Sequence, residues 1–193
     1  MILSTILFSS MLYYNIEYKS INSEYIYRPS IVKNITFKSD KLTVEKKQLL
    51  YKWCKVHANK KVSGTDINTI IEKVHDISEY PLLLLAVFSV ESAFDKDARS
   101  KKGALGLGQV MPLWIPEFKK PYGIKNKADL KKIGNNIKAS NYIITYYTEK
   151  EGSLAKGLNR YVNGSNSYVR KVLKRYADIT FYSKFGSYYN NKY

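Results

Sequence analysis

The chain has 193 residues, enough for one well-buried domain with an extension but not for two independent cores. Hydrophobic residues at 45% and charged residues at 25% are the proportions of a folded globular protein and exclude global disorder. Lys and Arg total 32 against 16 acidic residues, a formal charge of +16 that favours a polyanionic partner such as nucleic acid, anionic lipid or an acidic cell-wall polymer. The lysines are spread along the chain and form no arginine-rich block, so no nucleic-acid partner is expected. Cys54 is the only cysteine, which excludes an internal disulfide and a Cys-based metal site. With His57 and His75 as the only histidines, a zinc enzyme lacks ligands and a Ser-His-Asp triad has few candidates. Neither a metal nor a cofactor is expected.

In chain order, Met1 to Tyr14 is a short apolar run of signal-peptide length without the usual preceding basic residues. It reads as a signal peptide, a marginal membrane anchor or a segment buried against the domain, with export favoured. Residues 15–40 mix Tyr, Ser, Asn and Lys without a sustained helical period and read as a linker. The domain is expected over 41–179. Leu49, Leu50, Trp53 and Val56 recur at helical spacing, and Leu50, Trp53 and His57 place the Cys54 thiol in a core. Ile67, Ile70, Ile71 and Val74 predict a second amphipathic helix, with Thr65 as its cap.

Pro81 suits a first helical position, and Leu82 to Val90 is apolar except for Ser89. A helix apolar on every side belongs at the centre of a domain, and its leucines and alanine favour helix over strand. Gly103, Gly106, Gly108, Pro112 and Pro116 then predict a loop with tight turns. Helical period resumes at Ile133, Ile137 and Ile144, then at Leu154, Leu158, Tyr161 and Val162, and finally at Val169, Val172, Leu173 and Tyr176. The Tyr-rich stretch 180–193 reads as a flexible tail. The expected fold class is all-α.

Glu91 ends the apolar helix. Partial desolvation and the negative end of the helix dipole both disfavour its ionised form, which suits a general acid. Helix position alone is better met by a glutamate that simply emerges into solvent where the buried helix ends.

The stretch Ser89 to Pro112, SVESAFDKDARSKKGALGLGQVMP, resembles the lytic transglycosylases of the soluble, Slt-like family. It carries Glu91-Ser92 after an apolar helix, Ala98-Arg99-Ser100, and Gly103-Ala104-Leu105-Gly106-Leu107-Gly108-Gln109-Val110-Met111-Pro112, in that family's order and spacing. Weaker likeness covers about Leu42 to Ile179, through Asn136-Ile137 and Arg160-Tyr161-Val162-Asn163-Gly164. The chain departs from the pattern at Gly108, where Met is usual, at Ala139, where Gly is common, and at Val162, where Asn is usual, with Asn163 one residue on.

The resemblance implies a lysozyme-like helical domain whose substrate is the glycan strand of peptidoglycan. It implies Glu91 as the catalytic acid/base, with Ser92, Ser100, Gln109, Met111, Tyr161 and Asn163 as substrate-binding residues. The implied reaction is non-hydrolytic: one glutamate protonates the oxygen linking N-acetylmuramic acid to N-acetylglucosamine, then accepts the proton of the muramic 6-hydroxyl as it closes a 1,6-anhydro ring. The nucleophile is already held on the ring, so one carboxyl group serves both transfers. A hydrolytic muramidase would need a second acid, with Asp95, Asp97 and Glu117 near in sequence. A non-catalytic peptidoglycan-binding protein is the other alternative. The resemblance also implies a periplasmic or envelope location, with a secretion or conjugation apparatus as a partner and attachment through the amino terminus as an option.

Overall fold

The computed structural model describes residues 42–189, so the expected leader and linker lie outside the described residues. Eight α-helices follow in order: α1 Val44–His57, α2 Gly64–Ile77, α3 Pro81–Glu91, α4 Ile115–Tyr122, α5 Lys127–Leu130, α6 Ile133–Glu151, α7 Leu154–Tyr161 and α8 Asn166–Tyr189. Among the described residues there is no strand, only isolated bridges joining Arg99 to Leu105 and Leu105 to Val110. The fold is all-α, as the periodicity requires.

The helices start where side chains can accept the first free amide protons. Thr43 caps α1 by accepting from Lys46 N at 3.2 Å, and Ser63 caps α2 by accepting from Asp66 N at 3.0 Å. Ser63, not the expected Thr65, therefore begins α2, because only its oxygen reaches the third amide. Val56, expected on the inward stripe of α1, is 81% exposed. Leu50, Trp53 and Cys54 fill that inward face, and Val56 falls outside the arc they span.

Helix α3 fills the centre. Pro81 and Leu83 to Phe88 are all buried, and α3 packs most extensively on α8. Around it the main core gathers Ile67, Ile70, Ile71 and Val74 from α2 and Val169, Val172 and Ile179 from α8. Trp53 links α1 to α8 by donating Nε1–H to Asp178 at 2.8 Å. A second, smaller core holds Leu105, Val110, Phe118, Ile124, Leu130, Ala139 and Ile143. Trp114, Tyr142 and Tyr147 pack on its outer side, which gives the tyrosine-rich composition a packing role. Tyr161 packs against both cores and marks their junction.

The tail expected from Thr180 is corrected: α8 stays helical to Tyr189. Ile179 and Thr180 are buried, Thr180 Oγ1 donates to the Tyr176 carbonyl at 2.7 Å, and Gly186 packs against Leu49 of α1. Support from α1 carries the helix past the point where its apolar period fades. No helix among the described residues is long and apolar enough to cross a membrane.

Cys54 is fully buried, and burial pushes its thiol pKa far up. A thiol-specific reagent should leave the native protein unlabelled and react only as urea unfolds it. Labelling of the native state at the rate of a free thiol would contradict this packing.

Candidate active site

The site is built on the exit from α3. Ser92 caps the helix through its N–H, bonded to the Phe88 carbonyl at 3.2 Å, and Phe94 N bonds the same carbonyl at 3.2 Å. Ala93 and Phe94 both take left-handed φ, 50° and 62°, at a cost of about 1–2 kcal/mol each for residues with a side chain. Two contacts hold this turn. The Phe94 ring is buried edge-on against Trp53 at 6.4 Å, and Asn59 N donates to the Ala93 carbonyl at 2.9 Å. The chain thus reverses directly after Glu91, leaving its side chain at the wall of a groove.

That groove has a volume of about 670 Å³ and also takes in Ser92, Asp95, Asp97, Ser100 and Gln109. Burial pushes the Glu91 pKa up from the ordinary 4.5 to about 7, partly offset by the Tyr168 hydroxyl. Tyr168 Oη is buried and makes no hydrogen bond of standard geometry, yet it lies close enough to favour the carboxylate. The hydroxyl pKa values of Tyr168 and Tyr161 are both raised, first by burial and then by the nearby Glu91 charge. Glu91 is therefore a carboxyl group ringed by apolar helix and two neutral phenols, able to hold a proton near neutrality.

The glycine-rich loop contributes Gln109 to the same groove. Asn136 of α6, fully buried, accepts from Gly108 N at 2.9 Å and donates to the carbonyls of Leu105 at 2.9 Å and Leu130 at 2.7 Å. Leu105 and Leu107 enter different cores, pinning the loop from both sides. Gly106, at φ 72°, could carry no Cβ, because one would meet Asn136 Nδ2 at 2.4 Å. A Cβ on Gly108 would lie 2.1 Å from Ser140 Oγ and 2.9 Å from Tyr161 Oη. Gly108 is thus matched to Ser140 and Tyr161, which accounts physically for the absence of a larger side chain there. The Tyr161 hydroxyl donates to the Gly108 carbonyl at 2.6 Å.

Of the residues singled out in the sequence, Ser92, Ser100 and Gln109 share the groove with Glu91. Ser92 Oγ donates to the Phe88 carbonyl at 3.3 Å, a helix-ending bond. Ser100 Oγ accepts from Ala104 N at 3.0 Å, which leaves its proton free for a ligand. Gln109 donates through Nε2 to the carbonyls of Gly106 at 2.9 Å and Ala98 at 3.3 Å, so its carbonyl oxygen is the group left for substrate. Met111 lines a neighbouring pocket and not the Glu91 groove. Asn163 is exposed in a left-handed turn after α7, with φ 58°, and does not line the groove; Val162, buried only in part, caps the helix.

Two groups were missed in the sequence. Tyr168 stands four residues before Val172 and eight before Tyr176, on the inward stripe of α8, but spacing could not place it beside Glu91. Asn136 was visible only as a motif residue, and its role as the loop's clamp needed the fold. Asp95 is nearly buried, bound to Lys61 at 2.7 Å and to Asp97 N at 2.9 Å, whereas Asp97 is exposed. Glu117 is exposed on α4 and does not line the groove. Among the described residues no group of three or more His, Cys, Asp or Glu could hold a metal ion.

An all-helical domain with a desolvated glutamate at the wall of a polar groove defines a lysozyme-like architecture. The pattern of the Transglycosylase SLT domain matches residues 69–182, more than half of the chain, and the chain belongs to that family of peptidoglycan-acting enzymes. A comparison with curated proteins gave no match.

Folded Glu91 keeps its proton to about pH 7, whereas the unfolded chain releases it near 4.5. Between those values the folded state binds more protons, so stability is highest below the window and falls as pH rises through it, by up to about 3 kcal/mol. Urea denaturation should show Glu91→Gln more stable than the native chain at about pH 8, with the gap closing at about pH 4. An equal offset at both values would refute the desolvated carboxyl. Asn136→Ala strands the Gly108 amide and should cost about 2–3 kcal/mol, read from the same denaturation curves.

Proposed function

We propose that the protein is a lytic transglycosylase cleaving the β-1,4 bond between N-acetylmuramic acid and N-acetylglucosamine, with Glu91 as the only acid/base. The single observation that carries this reading is the Glu91 carboxyl, held near neutral pKa at the wall of the groove. Protonated Glu91 gives its proton to the glycosidic oxygen as the bond to the muramic C1 breaks. The resulting carboxylate takes the proton of the muramic 6-hydroxyl as O6 bonds to C1. Glu91 ends the cycle protonated, and no water is consumed. A pKa near 7 suits a group that must donate and then accept within one turnover. Ser100 Oγ–H and the Gln109 carbonyl oxygen are the free polar groups for sugar hydroxyl and N-acetyl groups. Tyr161 supports the loop through Gly108 and shields Glu91 from water.

A hydrolytic muramidase is the second reading, favoured by one observation: Asp97 is exposed and lines the same groove as Glu91. Its carboxylate is the group that could orient a water. Asp95 is a poorer candidate, being committed to Lys61 and to backbone.

Because the substrate is peptidoglycan, we place the protein outside the cytoplasm, in the cell envelope, with the catalytic domain running from about residue 41 through the end of α8 at Tyr189 and the leader 1–14 directing export. Service to an envelope-spanning secretion or conjugation apparatus fits a small domain of this kind.

Digestion of purified peptidoglycan should release muropeptides ending in 1,6-anhydro-muramic acid, each lighter by one water than the reducing product on mass spectrometry. Reducing ends in their place would decide for the muramidase. Glu91→Gln should lower the rate at least about 1,000-fold. Activity should fall as pH rises above about 7, where Glu91 loses the proton it must donate. Activity that survives in Glu91→Gln would remove Glu91 from the chemistry.

A further inference from the structure

The segment that follows Glu91 is tied to the α1–α2 connection by bonds of alternating direction. Asn59 N donates to the Ala93 carbonyl at 2.9 Å, and Lys61 Nζ reaches Asp95 Oδ2 at 2.7 Å. Lys96 Nζ then returns to Asp66 Oδ1, in the first turn of α2, at 2.8 Å. The two ion pairs have opposite polarity, so each segment gives one lysine and one aspartate. A slip of one residue in either direction brings like charges together.

The α1–α2 side of this clasp is preformed. Asn59 accepts from Val62 N through its carbonyl at 2.9 Å and from Lys61 N through Oδ1 at 3.2 Å, and Val62 is buried in the main core. The other side needs support, because Ala93 and Phe94 both hold left-handed φ. Asp95 is 8% exposed, and its other oxygen, Oδ1, accepts from Asp97 N at 2.9 Å. Removing Lys61 would leave that nearly buried carboxylate without its counter-charge, a larger cost than the worth of an exposed ion pair. Lys61 and Asp95 both line the Glu91 groove, so the clasp closes beside the reacting carboxyl.

We infer that Lys61 and Lys96 are positioning residues: through Asp95 and Asp66 they hold the strained turn at Ala93 and Phe94, and with it the direction in which Glu91 leaves α3. The inference rests on Glu91 being the acid/base of the reaction proposed above. Neither lysine gives or takes a proton. A displaced Glu91 aligns poorly with the glycosidic oxygen while the rest of the groove still binds sugar, so the cost falls on kcat and not on KM. Both lysines keep much of their side chains in solvent, at 64% and 40%, which makes the clasp sensitive to salt.

The test follows the full-length protein on soluble glycan strands, with the folded fraction of each variant fixed by urea denaturation. K61Q/K96Q should lower kcat about tenfold with KM unchanged, and K61R/K96R should return kcat to the native level. In a D95N background K61Q should have no further effect, since Lys61 acts through Asp95. Native kcat should fall toward that of K61Q/K96Q as salt is raised, while the variant does not respond. A raised KM at native kcat would make Lys61 a substrate contact and overturn the proposal, as would native kcat in K61Q/K96Q or no recovery in the arginine variant. Amide hydrogen exchange decides the clasp without turnover. Phe94 N and Asp95 N, bonded to the Phe88 and Ser92 carbonyls, should exchange about tenfold faster in K61Q/K96Q, and equal exchange would overturn it. A native protein that cleaves no glycan would count against the proposed reaction, while the exchange still decides the clasp.

Discussion

Helix α3 has no polar face to give to solvent, so the other helices must surround it. That demand places α2 and α8 against it and forces the polar end of the helix, Glu91, to the boundary of the core. Burying Leu83, Leu84, Leu85, Val87 and Phe88 contributes on the order of 1.5–3 kcal/mol per side chain, which offsets the cost of keeping a carboxyl group partly out of water. The raised pKa of Glu91 is thus a consequence of core packing, with the turn at Ala93 and Phe94 fixing where the chain leaves. Stability is given up at Glu91, whose carboxyl the core keeps partly from water.

The loop that carries Gln109 into the groove is positioned by a different interaction. Asn136 satisfies two carbonyls and one amide of the segments around it, all away from solvent, where each unpaired group would be costly. Gly106 and Gly108 let the loop come this close, and Tyr161 reaches across both cores to the Gly108 carbonyl. The glycine at position 108 and the short Ser140 opposite it form one packing solution. Its departure from the family pattern is therefore matched within the fold and does not open a gap.

Electrostatics separates the two cavities. In the Glu91 groove Asp95 and Asp97 balance Lys61 and Arg99, whereas the neighbouring pocket is cationic without relief. A small part of the +16 charge is thus carried by the residues that line the pocket beside the groove.

The sequence by itself determined the helical class, the central apolar helix, the buried Cys54 and the family, because apolar periodicity and contiguous motifs are local properties of the chain. It also brought Glu91, Ser92, Ser100 and Gln109 into view, since one continuous segment carries them. Tertiary structure alone decided what lies beside them. Tyr168 comes from a helix that starts seventy-odd residues later, Asn136 clamps the backbone of Gly108 and Leu105, 28 and 31 residues before it, and Met111 turns to a different cavity from Gln109, two residues away. The end of α8 was likewise settled by packing against α1, not by its own period. Long-range contacts leave no fixed spacing in the sequence, so the presence of the glutamate was legible there while the surroundings that set its proton affinity were not.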